Sequence, residues 1–312
     1  MKSISLCFLL CLIGFGLVNS QYNYLGYGDL SPLNVFTIDK INQIQYNKYY
    51  QPSPRNILGF AGLSLNSNTT FNVIYSNSAD TISWGLLDFQ SGGLSKYQTF
   101  ELPTFLQVNT VADFAIIPNN NTLLYLGSSK TYNGFNQFSL VANQNGPSAF
   151  QTVLPVSVTP FLAQGTLDKT LSDYYFVVSL MPLNHYQCIL VDVSTNQILK
   201  NITISAPQTS QIFQTFANNG NLYIVQPDSI GAHIETYQVD WSDQTMVLAA
   251  RVNVTSPPTQ LQVSVSNSYF AIFSIGTGDT NATAPLIDLS SFEIVDFLSN
   301  LGVAPLNSYF IF

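Results

Sequence analysis

After its first twenty residues, this chain alternates apolar and polar positions in short runs, broken every 8–12 residues by Asn, Gly, Asp and Pro. That rhythm predicts short β-strands throughout and no helix of convincing length. Six positions close such runs at a nearly fixed interval. Asp39, Asp88, Ser139, Asp192, Asp240 and Asp288 follow one another at 49, 51, 53, 48 and 48 residues. A second set of anchors lies upstream of these, where turn residues open an apolar run: Asn68 to Tyr75, Asn120 to Leu126, Ser172 to Val178, Asn219 to Val225 and Asn267 to Phe273.

A return of about 50 residues marks a repeat architecture, and each unit accommodates four strands: a, a tight turn, b, a longer loop, c ending at the acidic position, a turn, and d. Five units fall near 57–104, 107–156, 158–206, 208–256 and 260–298. A sixth is assembled from both ends, with strands a and b inside 299–312, strand c at 34–39 and strand d at 41–49. The mature chain so read is all-β and resembles the six-bladed β-propellers of secreted and cell-surface proteins. That resemblance rests on spacing and strand pattern. No Tyr-Trp-Thr-Asp run and no Asp-box is present, and Asp240-Trp241 reverses the WD dipeptide, so no family residue is carried over.

Residues 1–20 read as a cleaved leader: Lys2, an apolar run from Ile4 to Val18, then Asn19 and Ser20. The run is short for a membrane span. Residues 21–312 are then one secreted domain. The chain has 9 Lys and Arg against 17 Asp and Glu, a net charge of −8 that becomes −9 once Lys2 leaves. This balance argues against nucleic acid and anionic lipid, both of which need clustered basic residues. Cys7 and Cys11 leave with the leader, so Cys188 remains alone and reads as a buried hydrophobe. Five N-x-[ST] acceptors for N-glycosylation occur, at Asn68, Asn120, Asn201, Asn253 and Asn281. None falls in an inner a or b strand of the proposed units.

Candidate chemistry is sparse. Asp39, Asp88, Asp192, Asp240 and Asp288 read as structural turn residues, each accepting from the amides of the following turn, with Ser139 as a weaker version. No P-loop, G-x-S-x-G elbow or H-E-x-x-H is found, and His185 and His233 are the only histidines. Both fall in the longer b–c loops, expected at 76–82, 127–135, 179–186, 226–233 and 274–283. Loop variation on a rigid scaffold is where binding residues collect, so His185, Asp228, His233 and Asp279 form the candidate ligand site. Tyr22, Tyr24, Tyr27, Tyr46, Tyr49 and Tyr50 suggest a partner surface near the N-terminus. The leading expectation is a non-catalytic secreted glycoprotein without cofactor that binds an extracellular protein or glycan. The alternative is a lactonase- or esterase-like hydrolase with calcium in a central channel, for which Asp113 and Asp168 are the nearest a-strand acids.

Overall fold

The computed structural model describes residues 163–298 with short breaks at 169, 172, 182, 207–209, 267 and 280–281. Outside that span it describes the strands between Asn23 and Val153 and the pair Phe310–Ile311. The leader-like residues 1–20 and the acceptors Asn68, Asn120 and Asn281 lie outside the described residues, as do Tyr22, Tyr46 and the side chains of Asp39, Asp88 and Asp113.

The described residues are all-β, in antiparallel sheets of four strands. The chain begins with β1 (Asn23–Gly28), β2 (Leu33–Asp39) and β3 (Lys48–Tyr50). Sheet 2 holds β4 (Asn56–Leu63), β5 (Thr70–Ser78), β6 (Thr81–Asp88) and β7 (Leu94–Glu101). Sheet 3 holds β8 (Val111–Ile117), β9 (Thr122–Lys130), β10 (Asn136–Gln144) and β11 (Ser148–Val153). Sheet 4 holds β12 (Ala163–Leu167), β13 (Tyr174–Met181), β14 (His185–Asp192) and β15 (Gln197–Ser205). Sheet 5 holds β16 (Gln214–Asn218), β17 (Asn221–Pro227), β18 (His233–Asp240) and β19 (Thr245–Asn253). Sheet 6 holds β20 (Pro258–Val265), β21 (Tyr269–Gly276), β22 (Ala284–Asp288) and β23 (Ile294–Leu298). Finally β24 (Phe310–Ile311) joins the N-terminal strands in sheet 1, ordered β24-β1-β2-β3. The first strands of successive sheets, β4, β8, β12, β16, β20 and β24, lie side by side in that order.

Sheet 1 differs from expectation in its make-up. Among the described residues the C-terminal segment contributes one strand to it and the N-terminal segment three, with Tyr24 paired to Ile311 and Leu25 to Phe310; residues 299–309, where a further C-terminal strand was expected, lie outside the described residues. Tyr24 and Tyr27 are good strand formers, and β1 pairs antiparallel with β2 from Asn23–Asp39 to Gly28–Asn34. Tyr24 and Tyr27 are therefore strand residues and not part of a loose terminus. Ser139 also departs from expectation. It lies in the middle of β10, paired to Gly127 on one side and Val153 on the other, and the turn comes only after Gln144. The b–c loops are shorter than the sequence suggested, with strands running into them: Met181 pairs with His185, and Pro227 with Ile234.

Sheets 4 and 5 each bury both faces among the described residues. In β13, Tyr175 and Val177 point to sheet 3 and pack with Ala115, Leu124 and Leu126. Phe176 and Val178 point to sheet 5 and pack with Leu222, Ile224 and Val239. Tyr223 and Val225 of β17 continue to sheet 6, where Phe270, Ile272 and Ile287 meet them. The period of two along each strand thus feeds two successive intersheet cores.

The turns between third and fourth strands of sheets 4, 5 and 6 share one construction. Asp192 Oδ1 accepts from the amides of Ser194 (2.8 Å) and Thr195 (3.1 Å) and from Ser194 Oγ (2.7 Å). Asp240 repeats this with Ser242 and Asp243, and Asp288 with Ser290 and Ser291. Four residues past each aspartate stands a residue of positive φ: Asn196 (57°), Gln244 (54°) and Phe292 (58°). Asn tolerates this conformation. Phe292 is held in it by ring contacts to Tyr223 (5.4 Å) and Phe270 (5.9 Å).

Asp168 ties one sheet to the next. It is fully buried, and its Oδ1 accepts from the amides of Thr170 (2.8 Å) and Leu171 (3.1 Å). Its Oδ2 accepts from the amide of Gly220, at 2.5 Å, in the β16–β17 turn of sheet 5. Asp168→Ala is expected to lower unfolding stability by about 2 kcal/mol, since three partly buried amides lose the buried charged acceptor that ties two sheets. Asp168→Asn should cost nearly as much, because one of its two ends becomes a donor facing donors. Urea titrations of the two variants check this, and a near-wild-type midpoint for Asp168→Asn would contradict it.

Candidate functional site

The four residues nominated from sequence do not converge. His185 and His233 each open the third strand of their sheets, and each lies seven residues before its turn aspartate, Asp192 or Asp240. They are therefore equivalent positions one repeat apart. Along β14, His185 shares its side with Ile189 and Val191, which pack toward sheet 3. Along β18, His233 shares its side with Val239, which packs toward sheet 4. Sheet 4 itself stands between the two imidazoles. His185 Nε2 lies 3.2 Å from Ser205 Oγ. Asp279, one sheet further on, accepts from Ser256 Oγ at 2.6 Å. Among the described residues no group of three or more His, Cys, Asp or Glu is placed to hold a metal ion.

Two of the four are brought together. His233 Nδ1 meets Asp228 Oδ2 at 2.6 Å, and the Ala232 amide donates to Asp228 Oδ1 at 2.8 Å. Partial burial works to raise the Asp228 carboxyl, but the hydrogen bonds from His233 and Ala232 outweigh it and hold the group below the usual carboxylate range. The loop between them is tight. The Asp228 amide donates to the His233 carbonyl (2.9 Å), and Gly231 at φ 68° comes so close to Pro257 that a Cβ would sit 2.6 Å from it. Glycine is required there on both counts.

Sequence reasoning missed a larger polar cluster on the same side of sheet 5. Glu235 is almost fully buried; its Oε1 accepts from Arg251 Nε (2.9 Å) and Nη2 (2.5 Å), and its Oε2 accepts from Tyr237 Oη (2.6 Å). Across the cleft, Tyr186 of sheet 4 donates to Gln226 Oε1 at 2.6 Å. Burial raises the Tyr186 phenol well above its ordinary value, opposed by a backbone hydrogen bond at Ser210. Burial and the Glu235 carboxylate do the same to Tyr237. The signal was His233-Ile-Glu-Thr-Tyr237, polar at every second position of a strand whose counterparts are more apolar.

The loops beside this cleft carry another unpredicted feature. Leu183 is 88% exposed and Ile230 74%, the two most exposed large hydrophobic side chains among the described residues. They sit at the tips of successive b–c loops, Leu183 in a left-handed conformation at φ 63° that holds it outward. These loops are braced by the segments that enter the next sheet: Ala206 N donates to Asn184 O (3.0 Å) and Val254 N to Ala232 O (3.0 Å). Apolar tips are thus displayed on a hydrogen-bonded rim.

No family model matches the chain, and no curated protein matches it. Solved structures do. TolB from Acinetobacter baumannii superposes with a TM-score of 0.56 at 12% identity, over 97% of this chain and 69% of that one. A protein of unknown function from Bacteroides caccae gives 0.55 at 14% identity, over 94% of this chain and 99% of that one. A putative 6-phosphogluconolactonase from Bacteroides fragilis gives 0.54 at 10% identity, over 95% and 99%. The chain therefore shares the fold of β-propeller-like proteins. No helix among the described residues is long and apolar enough to cross a membrane.

The charged tie predicts an asymmetry between its partners. Arg251→Ala leaves a buried carboxylate with only Tyr237, and is expected to cost about 2 kcal/mol after allowance for the half-exposed guanidinium. Glu235→Gln leaves an arginine that can turn to water, and should cost clearly less. Thermal melts of the two variants decide it; equal losses would show that the pair does not act through burial of Glu235.

Proposed function

We propose that this protein is a secreted, non-catalytic β-propeller of six blades that binds an extracellular protein or glycan through the rim formed by its b–c loops and the segments entering each following sheet. In this reading residues 21–312 are one domain, and sheet 1, built from both chain ends, closes the ring between sheets 6 and 2. The side-by-side order of the first strands and the β24–β1 pairing support that arrangement. The observation that carries the choice of rim is the exposure of Leu183 and Ile230 on braced loops beside the Asp228–His233 pair. A rigid apolar tip loses little conformational freedom on binding, so its burial is recovered as affinity. The two acceptors within the described residues, Asn201 and Asn253, are both exposed on outer strands, as secretion and glycosylation require.

A second reading, a calcium-dependent lactonase-like hydrolase, is favoured by one observation: a putative 6-phosphogluconolactonase shares the fold across nearly its whole length. Of the two acids named for its metal, Asp113 has its side chain outside the described residues. Asp168 is committed to three backbone amides at the edge of the ring and offers no free oxygen to a channel. No step is derived through such an ion.

The test uses the glycosylated protein from culture medium, as bait against proteins and glycans of the producing cells' surface. Leu183→Asp with Ile230→Asp is expected to weaken capture of the partner at least tenfold, as loss of two buried anchors implies. Asp243→Ala, at an exposed turn on the opposite end of sheet 5, should leave capture unchanged. Equal capture by both variants would show the rim to be wrongly chosen. Calcium-dependent, chelator-sensitive lactone hydrolysis by the wild type would replace the binding reading with the second one.

A further inference from the structure

The outer strands of sheets 4 and 5 are the longest described outer strands, nine residues each, and nothing pairs with their far edges. Both carry exposed apolar side chains: Ile198 and Leu199 on β15, Val247 and Leu248 on β19. A long, partly apolar edge is a template for pairing with another chain. The fold blunts these edges with bulges, where Leu199 of β15 and Ala249 of β19 are the extra residues opposite Leu190/Val191 and Thr236/Tyr237. The same device recurs on β23, which is only five residues long. A short bulged edge is sufficiently protected; a nine-residue edge is less so.

The two nine-residue edges bear N-x-Thr acceptors; the eight-residue β7 and the five-residue β23 do not. Asn201 and Thr203 are exposed while Ile202 and Ile204 turn into the core between sheets 4 and 5. Gln187 Nε2 donates to Asn201 Oδ1 at 2.9 Å. That bond uses the amide oxygen and leaves Nδ2, the atom to which a sugar is joined, for modification. Asn253 and Thr255 are exposed at the end of β19, with Val252 and Val254 packed inward.

We infer that Asn201 and Asn253 carry N-linked oligosaccharides whose role is to shield these two edges and keep the protein from pairing edge to edge with a second copy. The inference rests on the secreted reading above, since modification requires a lipid-diphosphate-linked oligosaccharide donor. In the transfer, the bond between Nδ2 and the sugar C1 forms as the C1–O bond to the diphosphate breaks. The lipid diphosphate leaves, and the amide nitrogen loses one proton. The hydrated oligosaccharide then excludes an incoming strand by its bulk, and at β15 it stands two residues from Leu199.

Thr203→Ala combined with Thr255→Ala removes both acceptors while retaining the Asn201–Gln187 hydrogen bond. Wild-type protein from medium should show glycan on both asparagines by peptide mass spectrometry and stay monomeric by light scattering as concentration is raised. The double variant should lose both glycans and self-associate with concentration. Adding Leu199→Lys and Val247→Lys to it should restore the monomer. Should the double variant fold poorly, trimming folded wild-type protein with an endoglycosidase puts the same question and should give the same self-association. A monomer lacking both glycans would overturn the inference while leaving secretion intact, as would secreted wild-type protein unmodified at these two sites. Retention of the wild type in the cytosol would overturn both readings together.

Discussion

Every described sheet from 3 to 6 has an apolar layer on each of its two faces, and no sheet can satisfy that requirement alone. Tyr175, Val177, Ile189 and Val191 of sheet 4 are covered only by sheet 3, and Phe176, Val178, Cys188 and Leu190 only by sheet 5. A single four-stranded sheet with both faces apolar would aggregate, whereas a succession of them buries each face against the next. The repeat exists because of this constraint. It also explains why Cys188 is inert: it lies at the centre of an intersheet core, where burial drives its thiol pKa far upward.

The same constraint decides what could be read from sequence. Alternation of apolar residues with turn residues at fixed intervals is a local signal, and five units placed from it coincide closely with sheets 2 to 6. Asp192, Asp240 and Asp288 were legible because each closes an apolar run at the repeat interval, and in the structure each holds the amide and hydroxyl of a serine two residues on. Ser139 misled because β10 of sheet 3 runs on to Gln144, so the interval was filled by a residue in mid-strand. Sheet 1 misled because strand pairing between chain ends is non-local, and its partition among strands leaves no periodic trace. Outer-strand bulges at Tyr97, Leu199, Ala249 and Val295 were likewise invisible. A bulge is a property of two strands in register, not of one.

The candidate site was legible only where its partners are close in sequence. Asp228 and His233 are five residues apart and meet across a tight loop. His185 seemed their neighbour because it shares their loop class, but equivalent residues in consecutive repeats face consecutive clefts, with a whole sheet between them. The exposed tips at Leu183 and Ile230 were missed because exposure of an apolar residue is a departure from pattern, and the pattern predicts burial.

Comparison across repeats gives the polar cluster of sheet 5 its meaning. Five residues before Asp88, Asp192, Asp240 and Asp288, in or just before the third strand, each of four sheets carries a polar side chain bonded to a neighbouring strand. Ser83 meets Thr99 at 2.8 Å, Gln187 meets Asn201, Glu235 meets Arg251, and Thr283 meets Ser274 at 3.1 Å. Neutral groups suffice to tie strands, so the tie itself does not require charge. A buried carboxylate is costly to hold unless fully paired, and only in sheet 5, among these four, is that arrangement used. There it lies on the same face as His233 and Asp228, below the loop that displays Ile230. The charge therefore sets the sheet 4–5 cleft apart from the other three, next to the loops proposed to receive the partner.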